Sequence, residues 1–301
     1  MRRSFTFLVN PASGGGAAPE AVVPVARLLR DAGAEVEVTY SPGPHAMRSL
    51  AAKAVVRGDV VVSVGGDGML SSLAGEVGEL GGTLGIVPAG RGNDFARMLG
   101  LPGTPSGLAE VLLTGAPRTV DLLCVGDRLV VGSVYAGVDA RAAAIVDRAT
   151  RVPRVLQYPL AAVRALATYT PARYRLDLDG AVREHVAATV VVANSAYYGK
   201  GMRIAPDADV DDGLLDVVVI EAASRVALVR ALPSVYDGSH VLRPEVTVLR
   251  GRRVEVSAAG RDPVPVGADG EPLGALPALR DAPLVVEVRP GALSVLVPGP
   301  V

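Results

Sequence analysis

The chain has 301 residues, 50% of them hydrophobic but only 4% aromatic and none of them Trp, so a core sufficient for one large or two ordinary domains must be built mostly from Val, Leu and Ala. A formal net charge of −1 argues against a dedicated nucleic-acid binder, and the single cysteine, Cys124, excludes an internal disulfide framework and suits a reducing compartment. The apolar run in MRRSFTFLVNP is too short for a signal-peptide core, and no uninterrupted apolar stretch reaches the roughly 18 residues of a membrane-crossing helix. A cytoplasmic protein is expected, soluble or peripheral on the inner face of the cell membrane.

The first 120 residues alternate strand-like and helix-like segments. Ser4–Val9 reads as a strand, Ala21–Asp31 as a helix with Pro24 near its first turn, Val36–Tyr40 as a strand and His45–Arg57 as a helix. Val60–Val64, almost pure valine, has the pattern of a parallel strand covered on both faces. Met69–Val77 reads as helical, Leu84–Val87 as extended, and Asn93–Leu99 and Ser106–Leu113 as helical. Such repeated βα units predict an α/β domain with a doubly wound, mostly parallel sheet over residues 1–120.

Beyond Val120 the pattern changes. Leu122–Val125 and Leu129–Tyr135 read as a hairpin, and Asp179-Gly180 is a strong turn signal between Tyr174–Leu178 and Val182–Ala193. Leu214–Ile220, Val246–Leu249, Val254–Ser257, Val264–Val266, Leu284–Val288 and Ala292–Val297 are further short strands, interrupted by one longer helix near Val155–Ala167. A mainly antiparallel β-sandwich over residues 121–301 is expected, its last strand free to pack back toward the first domain. Cys124 sits within the strand-like VDLLCVG and reads as a small apolar residue rather than a reactive thiol.

Ligands of doubly wound sheets bind outside the carboxyl ends of the strands. Gly65-Gly66-Asp67-Gly68 stands at such an end, where glycines let successive N–H groups converge on an anion and the following helix adds its positive end. Alone, it reads equally well as a strand-to-helix turn with an aspartate cap. However, Asn10-Pro11-Ala12-Ser13-Gly14-Gly15-Gly16 follows the first strand, and GIVPAGRGNDFA, residues 85–96, follows a third. Three such loops describe a groove for a polyphosphate, in which Asp67 is tolerable only with a cation or water between. Neither a Walker A loop nor a Rossmann GxGxxG is present.

In this order and spacing, NPASGGG, VGGDG and GIVPAGRGNDFA resemble the diacylglycerol kinase catalytic-domain family, which includes bacterial lipid kinases and sphingosine kinases. NSAYYGKGMRIAPDADVDDGLLDVVVI, residues 194–220, resembles the family's C-terminal signature, and ADGEP, residues 268–272, its DGE element. The resemblance implies a fold like that of NAD kinase and phosphofructokinase, and ATP-dependent phosphorylation of a lipid hydroxyl, diacylglycerol first among acceptors. The nucleotide would lie on the N-terminal domain, on Asn10, Ser13, Gly14, Gly65, Gly66, Asp67, Gly68, Met69, Leu70, Ser71, Arg91 and Asn93, with Asp67 organising Mg²⁺ or its waters. An earlier hydroxyl contact falls in Thr39-Tyr40-Ser41, taken as Ser41.

Asp269 matches the family's general base. On spacing alone Asp269-Gly270 is a hairpin turn, and a turn can present a catalytic side chain. The acidic run Asp207, Asp209, Asp211, Asp212 suits a hard cation or a solvated loop; the resemblance implies a structural magnesium on Asp209, Asp212 and the Leu214 carbonyl. The chain departs from the family after GGDG, where Met69, Leu70, Ser71 and Ser72 replace the usual Thr, apolar residue, Asn and Glu, and at Arg91, where Ser or Thr is usual.

Between Arg141 and Arg175 lie seven arginines and one acid, Asp147: a solvated helix face, or a patch for anionic lipid headgroups. The expected partners are therefore a lipid substrate and an anionic membrane surface, with room for a homodimer and no nucleic acid. An NAD kinase-like enzyme and a catalytically silent lipid- or nucleotide-binding protein are the alternatives. His45, His185 and His240 lack metal-ligand spacing and receive no role.

Overall fold

A computed structural model of the chain describes residues 3–40, 44–148 and 154–299. The first half runs β1 (Ser4–Val9), α1 (Ala18–Asp31), β2 (Glu35–Tyr40), α2 (Pro44–Arg57), β3 (Val60–Gly65), α3 (Asp67–Glu79), β4 (Thr83–Pro88), α4 (Asp94–Met98) and α5 (Pro105–Thr114). The strands are parallel in the order β4-β3-β1-β2. Side-chain alternation divides them between two cores. Phe5, Phe7, Val9, Val60, Val62 and Val64 meet α1 and α5 on one face, while Leu8 and Val61 meet α2 and α3 on the other. This is the doubly wound α/β layer expected. Pro24 lies inside α1 rather than in its first turn, where Pro19 sits instead.

The second half runs β5 (Ala116–Val125), β6 (Arg128–Val130), β7 (Ser133–Gly137), α6 (Val138–Arg148), α7 (Arg154–Ala167), β8 (Ala172–Leu178), β9 (Ala181–Ala193), β10 (Leu215–Glu221), α8 (Arg225–Asp237), β11 (Val246–Gly251), β12 (Arg253–Ala259), β13 (Pro265–Ala268), β14 (Glu271–Ala275) and β15 (Leu284–Val297). These strands pair antiparallel and enclose a core of Leu123, Val134, Tyr174, Val190, Val217, Val254 and Val286, the expected sandwich. β9 pairs with β8 over its first half and with β7 and β10 over its second.

Three features differ from the sequence reading. Helices α6 and α8 were not foreseen. The segment read as one strand over Leu129–Tyr135 breaks at Gly132 into β6 and β7, because the backbone there turns to bind a carboxylate, as described below. The two final strands are one, β15, with its register interrupted between Arg289 and Leu293. β15 pairs antiparallel with β5 and β12, and parallel with β4 at Ser294 and Val295, so a single sheet spans both halves.

Candidate active site

The loops after β1, β3 and β4 lie side by side at the carboxyl ends of adjacent strands, and they touch. Gly14 has φ +63°, and a Cβ there would stand 2.3 Å from the Ala89 carbonyl oxygen. A Cβ on Gly90 would stand 2.3 Å from the Cα of Gly66. Only glycine permits this approach. The Ala89 N–H donates to the Gly65 carbonyl at 2.8 Å, Ser13 lies over Gly65, and Asn10 Oδ1 accepts from Ala12 N–H at 3.0 Å. Asn93, at φ 56°, closes the third loop by accepting from Gly90 N–H at 2.8 Å.

Asp67 opens α3, and its carboxylate accepts from the Asp94 and Phe95 N–H groups, both at 3.2 Å, capping α4. Asp94 is buried and accepts from the Lys200 and Gly201 N–H groups at 2.9 and 2.7 Å. Burial, reinforced by the Asp67 charge, pushes the Asp94 pKa up to about 6.

Asp269 occupies the tip of the β13–β14 hairpin, with φ 44° followed by φ 88° at Gly270, the turn read from the sequence. The other Asp-Gly hairpin, Asp179-Gly180, has nearly the same backbone and braces Arg252 and Arg253 N–H groups. At Asp269 the same geometry aims the carboxylate into the molecule. Oδ1 accepts from Ser133 N–H at 2.9 Å, Oδ2 from Val131 N–H at 2.9 Å, Gly132 N–H lies 3.1 Å from Oδ1, and the Ser71 hydroxyl donates to Oδ2. Three successive N–H groups form a nest for an anion. Burial nevertheless pushes the Asp269 pKa to about 6; the Ser71 and backbone hydrogen bonds oppose the rise, and the Asp67 charge adds to it.

Asp67, Asp94 and Asp269 share one cavity of about 680 Å³, whose other walls are largely apolar: Val138, Leu166, Ile220, Leu228 and Val235 among them. A further carboxylate, Glu271, stands against Gly68, 3.3 Å from where its Cβ would be. The shape is that of a site with an apolar body and an acidic end.

The expected nucleotide contacts divide. Asn10, Ser13, Gly14, Gly65, Gly66, Asp67, Gly68 and Asn93 gather at the three loops, Arg91 is exposed beside them, and Met69 packs on Gly65. Leu70 does not join them: its side chain is buried in the core, and its N–H donates to the Gly66 carbonyl at 3.0 Å. Ser71 belongs with Asp269. Ser41 lies outside the described residues. Asp94 and Glu271 received no role, although both lie inside motifs that were singled out, one position after Asn93 and two after Asp269.

In the acidic run, Asp209, Asp211 and Asp212 are paired with arginines. Arg118 of β5 binds Asp211 at 2.7 Å and Asp209 at 3.1 Å, holding the Asp211 carboxyl below its usual range. Arg250 of β11 binds Asp212 and, at 3.3 Å, Asp216. Asp212 Oδ1 accepts from Leu214 N–H at 2.9 Å. Arg118 and Arg250 thus supply the counter-charge to Asp209, Asp211 and Asp212. No cluster of three or more metal-ligating side chains occurs among the described residues. The loop is still tied to the site: Asp121 accepts from Gly213 and Gly291 N–H groups, and Asn194 Nδ2 bonds the carbonyls of Asp121 and Val131.

Of the arginines between Arg141 and Arg175, Arg151 lies outside the described residues. Arg173 and Arg175 point outward from β8, Arg164 lies exposed on α7, and Arg141 belongs to α6. Cys124, on β5, is half-buried, and its thiol donates to the Gly126 carbonyl at 3.2 Å. No helix among the described residues is long and apolar enough to cross a membrane.

Comparison with known proteins matches residues 4–125 to the diacylglycerol kinase catalytic domain and residues 132–297 to the YegS C-terminal NAD kinase beta sandwich-like domain. A diacylglycerol kinase of Mycobacterium tuberculosis H37Rv is 35% identical, over 97% of this chain and 94% of its own. One from Bacillus subtilis is 24% identical over 92% of both. The crystal structure of a diacylglycerol kinase from Bacillus anthracis superposes with a TM-score of 0.73 at 18% identity, covering 98% of this chain and 97% of that one.

Proposed function

This chain belongs to the diacylglycerol kinase family, and on that premise we propose that it transfers the γ-phosphoryl group of ATP to the hydroxyl of diacylglycerol, forming phosphatidic acid at the cytoplasmic face of the membrane. One observation carries the reading: Asp269, Asp67 and Asp94 stand at the acidic end of an apolar cavity. A lipid needs the apolar walls, and a hydroxyl to be phosphorylated needs the acid beside it.

Phosphoryl transfer requires in-line positioning and charge neutralisation more than covalent chemistry. Asp269 orients the acceptor hydroxyl and takes its proton late in the transfer. A carboxylate with its pKa near 6 serves this better than one near 4, because proton affinity is greater while the group remains ionised at neutral pH. The three touching loops present backbone to the triphosphate. Arg91, an exposed cation on the third loop, supplies charge where a hydroxyl is usual.

Magnesium in such sites is held by one or two carboxylates together with the phosphates, so a cage of three side chains is not needed. The Asp67 charge, which raises the pKa of both Asp94 and Asp269, fits such an ion. Asp67 would hold it, and its charge would offset that of the phosphates.

The test is magnesium-dependent ADP release from ATP with diacylglycerol in mixed micelles, a sphingoid base, or NAD as acceptor. Turnover with diacylglycerol is expected. Turnover with NAD alone overturns the lipid reading, and nucleotide binding without any turnover reduces the protein to a silent relative.

A further inference from the structure

Helix α8 packs Leu228 and Leu232 inward, yet it carries a second apolar stripe on the other side. Val226, Val229, Pro233 and Tyr236 recur at intervals of three and four, which sets them along one face. That face is exposed, Val226 at 59% and Tyr236 at 48%, and Val235 is the only buried residue of the helix. Helix α7 packs against α8 and adds the exposed Leu160 and Val163, one turn apart. Leu242, in the turn after α8, is 84% exposed.

Val163, Val229, Pro233 and Tyr236 are at the same time walls of the cavity that holds Asp269. Residues that are both exposed and cavity-lining mark a mouth, so the cavity opens between α7 and α8. The mouth is rimmed by charge of mainly one sign. Arg164, Arg225, Arg230 and Arg243 are exposed there, against Asp237 and Glu245, the latter 3.8 Å from Arg243. Leu160 with Arg164, and Val226 with Arg230, stand four residues apart on their helices, so each apolar residue has an arginine on the same face.

We propose that the α7–α8 face docks on an anionic bilayer, and that the lipid passes from the bilayer into the cavity between these helices without crossing water. The proposal rests on the lipid-kinase reading and names the surface with which that site works. Apolar residues interleaved with arginines are the pattern of helices that lie in a membrane interface. Arginines there are drawn to anionic headgroups, and an amphipathic ring such as that of Tyr236 suits the headgroup level. A protein seated on this face would instead close the mouth.

The experiment is flotation of the full chain with vesicles, without nucleotide. Wild type is expected to float with vesicles of equal parts phosphatidylcholine and phosphatidylglycerol, and far less with phosphatidylcholine alone. Leu160→Asp with Val226→Asp, neither of which lines the cavity, is expected to lower the bound fraction roughly tenfold. Its turnover of a short-chain diacylglycerol dispersed in water should match wild type, which also reports that it is folded. Leu242→Asp, on a separate turn, should weaken flotation in the same direction. Flotation of the double variant equal to wild type, or wild-type flotation indifferent to phosphatidylglycerol, overturns the docking face. Flotation lost by the variants in a protein that phosphorylates no lipid supports the docking face while overturning the kinase reading.

Discussion

The hydroxyl of Ser71 donates to the carboxylate of Asp269, so a residue one turn into α3 is fastened to a hairpin 198 positions away. The same hydroxyl accepts from Val131 N–H at 3.2 Å. The contact joins the helix that follows the second glycine loop to the proposed base.

Ser71→Ala removes a hydrogen bond that lowers the Asp269 pKa. The acid limb of the pH–rate profile should therefore move upward, by a few tenths of a unit to about one unit. A profile unchanged from wild type would show that Asp269 does not set that limb.

Asp269→Asn should lower phosphoryl transfer by about 10²–10⁴-fold while leaving nucleotide affinity close to wild type. ADP release and a fluorescent-nucleotide titration separate the two. Retained turnover removes Asp269 as the base.

Activity should fall as pH drops through about 6, where Asp269 and Asp94 take up protons. Stability runs the other way. Both carboxyls have folded-state pKa values raised from 3.8, so the native state binds their protons more tightly than the unfolded chain does. Their contribution to stability is fully present below about 3.8 and is lost as pH rises through about 6. Chemical denaturation alongside kcat at several pH values should show the two trends crossing.

Chelation should leave the thermal midpoint of the nucleotide-free protein unchanged, because Arg118 and Arg250 hold the acidic loop. Arg250→Ala strands Asp216, which is 4% exposed, and should cost about 1–3 kcal/mol, a fall of several degrees in Tm. A midpoint that drops with chelator in wild type would return a cation to this loop.

What the sequence disclosed was what is encoded locally. Valine-rich strands and the glycine loops after them follow from burial and backbone freedom, and Asp269-Gly270 carries its own turn. The arginine pairs of the acidic run are 91 and 93 residues apart for Arg118, and no local pattern announces them. Ser71 was grouped with the nucleotide because it follows GGDG, whereas its partner lies far along the chain. Helix α8 escaped because Pro233, a helix-breaking residue in sequence, lies inside it.

Strand β15 has a consequence for the order in which the protein can be made. Leu293 and Val295 complete the core beneath α2 and α3, and Leu296 completes the one beneath α1 and α5. The first half is therefore unfinished when its own helices leave the ribosome, with the outer edge of β4 bare until residues near 295 arrive. Domains ordinarily fold in turn as they are synthesised. Here the opening half must wait for the closing strand, and a nascent chain halted before β15 should remain a client of chaperones.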